Sequence, residues 1–169
     1  MRKPTSLFIG RFQPFHKGHL SAVKWIAKKS GSVIIAIGSA QERNTERNPF
    51  SAKERMKMMR AQLSATGLLK KCTLVSVTDI KGNEKWAAHV DENVPRYDVV
   101  YSNNALVKRL MKKAGKTVRA VPFFSKATYN ATKIRARMKK GAEWRGRVPQ
   151  KVRKALVKLG AEEKLRRIN

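Results

Sequence analysis

Two histidines bracket a glycine near the start of the chain, in Gly10-Arg11-Phe12-Gln13-Pro14-Phe15-His16-Lys17-Gly18-His19. Imidazoles, a guanidinium and bare backbone suit the binding of a polyphosphate. Gly10 lets the backbone turn and lets a ligand come close. Gly18 leaves open the N-terminus of the helix that follows, where free N–H groups and the positive end of the dipole attract anions. His16 and His19 flank that glycine and can address the same phosphate, and Arg11 adds a planar fork of fixed charge. Taken alone, H-x-G-H is equally compatible with a strand-to-helix turn carrying two ordinary polar histidines. Its place directly after the first apolar run favours the phosphate reading. Neither G-x-x-x-x-G-K-[ST] nor G-x-G-x-x-G occurs, so the commoner phosphate loops lack support.

These residues need a scaffold, and the rest of the pattern supplies one. Short apolar or β-branched runs predict strands over 6–10, 33–38, 73–78, 98–101 and 117–123. Between them, three- and four-residue apolar spacing predicts helices over 19–29, 52–64, 84–92 and 106–114. Ser51 and Glu54 form a capping-box pattern, and Met56, Met58 and Met59 make a stripe that reads as core. The alternation predicts an α/β fold, a doubly wound parallel sheet covered by helices on both faces. Ligands of such sheets bind beyond the carboxyl ends of the strands, near the switch point, and the motifs fall at those ends. After Phe123 the pattern becomes helical: 132–140, then a helix opened by Pro149 with Val152, Leu156 and Leu159 on one face, then 161–168 beyond Gly160. The expected division is an α/β domain over 1–140, with a basic helical extension over 141–169 packed on it.

The chain has 169 residues, 41% of them hydrophobic, which is enough for one domain with its own core. Cys72 has no partner cysteine, so an internal disulfide is excluded and a reducing, cytoplasmic setting is expected. Apolar runs such as 33–37 are far too short for the roughly 20 residues that span a bilayer. Lys and Arg number 39 against 11 acids, for a formal charge of +28. Residues 1–104 carry net +10 and residues 105–169 net +18. Such a field draws polyanions and weakens with salt, so non-specific polyanion binding is expected, but charge alone names no function.

The motif blocks, taken in order, resemble the HxGH nucleotidyltransferases, and among them the archaeal-type nicotinamide-nucleotide adenylyltransferases. Gly10–His19 is similar to their first motif. Gly38-Ser39-Ala40-Gln41 follows the second strand. Arg47-Asn48-Pro49-Phe50-Ser51-Ala52-Lys53-Glu54-Arg55-Met56 matches an Arg-x-Pro-Phe-Thr/Ser-Ala-x-Glu-Arg block. Asp79-Ile80 with Asn83, Trp86 and His89, and then Val100-Tyr101-Ser102-Asn103-Asn104, follow the third and fourth strands. Tyr129-Asn130-Ala131-Thr132-Lys133-Ile134-Arg135 stands at the second signature, S-x-T-x-I/V-R. Asn130 replaces the usual Ser there, and Asn103 and Ala105 stand where Gly and Pro are frequent.

The resemblance implies a Rossmann-like nucleotidyltransferase fold and a reaction between ATP, with Mg²⁺, and nicotinamide mononucleotide. It implies that His16, His19, Arg11, Arg47 and Arg135 carry the chemistry. ATP would contact Ile9, Gly10, Phe12, Gly18, Ser102, Thr132 and Ile134. The mononucleotide would contact Gln13, Ser39, Asp79, Ile80, Asn83 and Trp86, with the indole stacked on the nicotinamide. Mg²⁺ would be held by phosphates and not by protein side chains, and the protein would form a homo-oligomer, hexamer or trimer. The acceptor phosphate is already an anion at neutral pH, so such a reaction needs positioning and positive charge more than a base. Adenylyl or cytidylyl transfer to another phosphate acceptor within the superfamily (nicotinic acid mononucleotide, flavin mononucleotide, phosphopantetheine) and a non-enzymatic nucleic-acid binder are the alternatives. Aromatics are only 7%, and Phe12, Phe15 and Trp86 fall in the nucleotide motifs and do not form a stacking stripe, which weighs against the second.

Overall fold

The computed structural model describes residues 1–168. Five parallel strands form one sheet: β1 (Thr5–Gly10), β2 (Ser32–Ile37), β3 (Cys72–Ser76), β4 (Val99–Tyr101) and β5 (Val118–Arg119), in the order β3-β2-β1-β4-β5. The chain moves outward from β1 through β2 to β3, then crosses to the other side for β4 and β5. Parallel crossovers keep one hand, so reversing the direction of travel sends the connecting helices to the opposite face.

Helices α1 (Lys17–Lys29) and α2 (Ala52–Ala65) join the first three strands. Both bury their apolar stripes, Val23, Ile26, Met58, Met59 and Leu63 among them, in one core with Phe8, Val33, Ile35 and Tyr101. Helices α3 (Trp86–Asn93) and α4 (Ala105–Lys113) cover the other face, placing Val90 and Met111 against Leu7, Ile34 and Val100. Successive strand residues therefore feed opposite cores, as the two-residue pleat demands.

Beyond β5 come α5 (Ala131–Lys139), α6 (Gln150–Lys158) and α7 (Ala161–Arg167). Val152, Leu156, Ala161 and Leu165 join the first core, alongside fully buried Trp144. The Trp144 indole N–H donates to Glu162 at 2.8 Å, so its one polar atom is satisfied.

The expected elements are present, and two boundaries differ for a physical reason. The strand expected over 117–123 shrinks to Val118–Arg119. Past Tyr101, β4 no longer offers a ladder. The Asn103 side chain instead takes both backbone groups of Val121, accepting from its N–H at 3.0 Å and donating to its carbonyl at 2.6 Å, and Pro122 follows without an N–H. Helix α1 begins two residues early because His16 itself caps it.

Candidate active site

The strand ends converge on two clefts. One, of 430 Å³, opens between the β1–α1 turn, the end of β4 and the segment leading into α5; Gly10, Phe12, His16, Gly18, His19, Ser102, Thr132 and Arg135 line it. The other, of 330 Å³, opens between the ends of β2 and β3 and helix α4; Ser39, Arg47, Asp79, Ile80, Asn83 and Trp86 line it. The two share Ile9, Gly10, Arg11 and Asn104, so Arg11 stands at their common wall.

The histidines form a reciprocal capping box. His16 Nδ1 accepts from the His19 N–H at 3.3 Å, and the His16 N–H donates to His19 Nδ1 at 3.2 Å. Each Nδ1 is therefore an acceptor, which puts the proton of each neutral ring on Nε2. The rings stack 3.6 Å apart, with His19 also against Phe12 and Phe15. Burial pushes His16 down to about 4. Burial and the neighbouring His16 push His19 well below its usual value. Both rings are thus neutral N–H donors at physiological pH, not cations.

Gly18 and Gly10 are both required for close packing. A Cβ at Gly18 would lie 3.0 Å from the His16 ring and 3.1 Å from Tyr129 Cβ. At Gly10 it would meet the Phe12 ring at 2.8 Å. The first constraint on Gly10 is therefore the Phe12 ring, in addition to the ligand approach expected from sequence. Phe12 has φ 52° and Ser39 φ 48°, left-handed backbone that costs an ordinary side chain energy and is held only by its surroundings.

Buried Arg55 is one such hold. Its guanidinium donates to the carbonyls of Arg11 and Gly38, both at 2.7 Å, and of Ser39 at 3.0 Å. It ties the ends of β1 and β2 together, a structural role. Burial, then repulsion from Arg11, lowers it to about 10, still protonated at neutral pH.

Three further guanidiniums supply the charge. Arg135 donates to the carbonyl of Gln13 at 2.9 Å and of Glu46 at 3.1 Å, and reaches Thr132 Oγ1 at 3.4 Å. Arg11 reaches Asn48 at 3.4 Å. Burial lowers both, with Arg47 adding repulsion to each. Mutual repulsion of Arg11, Arg47 and Arg135 is a field that anionic oxygens would relieve.

Ile134 and Gln13 are engaged within the protein itself. Ile134 is fully buried in the core, and its N–H donates to the Asn130 carbonyl. Gln13 lies beside the larger cleft, not the one lined by Trp86. Its amide is spent on the Phe50 backbone, donating at 2.7 Å and accepting at 3.0 Å. His89 Nε2 lies 2.9 Å from the Thr78 carbonyl, beside the Asp79-Ile80 turn. Gln41 holds the same turn, accepting from the Asp79 N–H at 3.0 Å. Asn130 caps α5 by accepting from the Lys133 N–H at 3.1 Å, as a Ser would.

Sequence reasoning did not single out Phe123, Phe124 and Lys126, which line the larger cleft beside Tyr129 of the second signature, or Leu106, which lines the smaller. The Phe123-Phe124 pair after Pro122 is the available signal.

Residues 7–137 match the cytidylyltransferase-like family. The chain is 40% identical over 160 residues to a nicotinamide-nucleotide adenylyltransferase of Thermococcus onnurineus, covering 95% of this chain and 86% of that one. It is 39% identical over 163 residues to the enzyme of the same name from Saccharolobus solfataricus, covering 96% and 95%. Among solved structures it resembles a bifunctional NMN adenylyltransferase/ADP ribose pyrophosphatase of Francisella tularensis, complexed with AMP and a manganese ion. There the TM-score is 0.83 at 25% identity, over 98% of this chain and 51% of that one. With this sheet order, this histidine box and relatives of this closeness along nearly its whole length, the chain belongs to the nicotinamide-nucleotide adenylyltransferases of the cytidylyltransferase-like family.

Proposed function

We propose that this enzyme transfers the adenylyl group of ATP to nicotinamide mononucleotide, giving NAD and pyrophosphate. The observation that carries the reading is the pair of clefts meeting at Ile9-Gly10-Arg11. Two phosphorylated ligands seated there would bring their phosphates to one guanidinium.

ATP occupies the larger cleft, its triphosphate running past Gly18, His16 and His19 toward Thr132 and Arg135 at the start of α5. Ser102 and the Gly10 and Phe12 backbone border the nucleoside. The mononucleotide occupies the smaller cleft, its ring against Trp86, with Asn83 and the Asp79-Ile80 turn at the carboxamide and Ser39 and Arg47 nearer the phosphate. An acceptor phosphate oxygen attacks the α-phosphorus in line, the bond to the bridging oxygen of the β-phosphate breaks, and pyrophosphate departs with that electron pair. No base is needed. The Nε2–H groups of His16 and His19, with Arg11 and Arg135, answer the charge that grows on the leaving group.

Among the described residues, none with a carboxylate side chain lines the larger cleft. The divalent ion, Mg²⁺ in this reading, therefore arrives on ATP as part of the substrate. Among the described residues no three His, Cys, Asp or Glu side chains gather as a metal site, and no helix is long and apolar enough to cross a membrane. A homo-oligomer in the cytoplasm completes the reading.

The test is pyrophosphate release from ATP and Mg²⁺ with a panel of acceptors. Nicotinamide mononucleotide should be the best of them, with NAD as product. A higher kcat/KM for flavin mononucleotide or phosphopantetheine would reject the assignment.

A further inference from the structure

The charge of this protein exceeds what its two clefts use. Between Trp144 and Ala161 the chain carries six cations and no acid. A groove of 360 Å³ lies there, lined by Arg145, Arg153, Lys154, Val157 and Lys158. Arg145 shares Glu162 with Arg166 and lies 5.0 Å over the Trp144 ring. Arg153, Lys154 and Lys158 are exposed and make no ion pair among the described residues. None of the groove residues lines either cleft.

We propose that this groove on α6 binds the phosphodiester backbone of a nucleic-acid duplex, without reading its bases. Arg153 and Lys158 stand roughly 7–8 Å apart along the helix axis, while a duplex presents one negative charge per about 1.7 Å. Several phosphates therefore face the three free cations at once. The only apolar lining residue is Val157, 53% exposed, and no aromatic ring is exposed on α6 to stack a base. A lipid surface fits less well. Val152 and Leu156, the apolar side of α6, are fully buried in the core, and the exposed Val157 and Leu159 alone make too small an apolar face to insert. The net +18 of residues 105–169 extends the field past the groove and suits a long, dense polyanion more than a short acidic peptide. The proposal stands apart from the catalytic reading, because pyrophosphate release and duplex binding are measured separately.

The experiment compares two triple variants of the full chain by fluorescence anisotropy with a 24-base-pair RNA duplex at several salt concentrations. The first is Arg153→Gln/Lys154→Gln/Lys158→Gln. The second is Arg109→Gln/Lys112→Gln/Lys113→Gln, which removes the same charge from exposed residues of α4 on the opposite face of the sheet. The groove variant should bind the duplex at least tenfold more weakly, with a salt dependence shallower by about 2–3 in log–log slope. The control should lose less than threefold, and both should release pyrophosphate at the parent rate, which also reports that they fold. Equal losses in the two variants would make the effect one of overall charge and overturn the site. So would no duplex binding by the parent protein at about 0.1 M salt, or tighter groove-dependent binding to phosphatidylserine vesicles or polyglutamate.

Discussion

At the residue scale the histidine pair decides the electrostatics of the reaction. The capping box leaves each ring with its proton on Nε2, and burial keeps it neutral, so both act as dipolar donors. Catalysis that needed imidazolium would decline as pH rises through 6–8. Here no such decline is expected, and a pH profile of kcat measures it. Protonation is opposed by the fold, so stability follows the same chemistry. His16 sits near 4 when folded and near 6.5 when unfolded. The stabilisation is complete above about 6.5 and is lost as pH falls toward 4. This amounts to about 3 kcal/mol for a group this buried, read from denaturant melts at pH 7 and pH 4.5. His19→Ala should lower kcat by about 10²–10³-fold with a smaller change in the KM for ATP, since the contact serves developing charge. Trp86→Ala should raise the KM for the mononucleotide about tenfold, the scale of a lost stacking partner, and leave that for ATP within about twofold. The reverse order would assign the indole to the other cleft.

At the element scale, the site depends on how far-apart segments are tied together. Arg55 on α2 joins the ends of β1 and β2, and Asn103 after β4 captures Val121. The segment between β5 and α5 has little regular structure and carries Lys126 and Tyr129 into the larger cleft. It is pinned from the C-terminal extension: the Arg147 guanidinium donates to the Thr128 carbonyl at 2.8 Å, and its Nε is buried without a partner. Arg147→Ala should therefore raise the KM for ATP severalfold while leaving that for the mononucleotide unchanged, as steady-state kinetics with each substrate varied will show. Equal effects on both would mean general loosening of the fold.

At the scale of the whole molecule, the excess of cations sets association. Seven ion pairs join the described residues, most of them exposed and individually worth well under 1 kcal/mol. They leave a strongly positive surface around a core that now includes the C-terminal helices. Copies carrying +28 each repel one another, and the repulsion is screened over roughly 8–10 Å at physiological salt. Self-association should therefore strengthen from 50 to 300 mM salt in sedimentation experiments, whereas duplex binding on α6 should weaken over the same range. A sedimentation coefficient that fell with salt would contradict the repulsion argument.

Much of this was legible in one dimension because its causes are local. Strand–helix alternation follows from apolar spacing. The Ser51–Glu54 cap acts within one turn, and the Gly10–His19 block forms between one strand and the next helix. Contacts between distant segments were not legible, because a side chain's type does not say which backbone it will meet. Nothing near Gln13 in the sequence says that its amide pairs with the backbone of Phe50. Ile134 sat within a phosphate signature yet faces the core. Arg55 on α2 and Arg135 on α5 are the same residue type. Only tertiary packing decided that one would be sealed against the Arg11, Gly38 and Ser39 carbonyls while the other would border the cleft, because that depends on which strand ends lie within reach of each guanidinium.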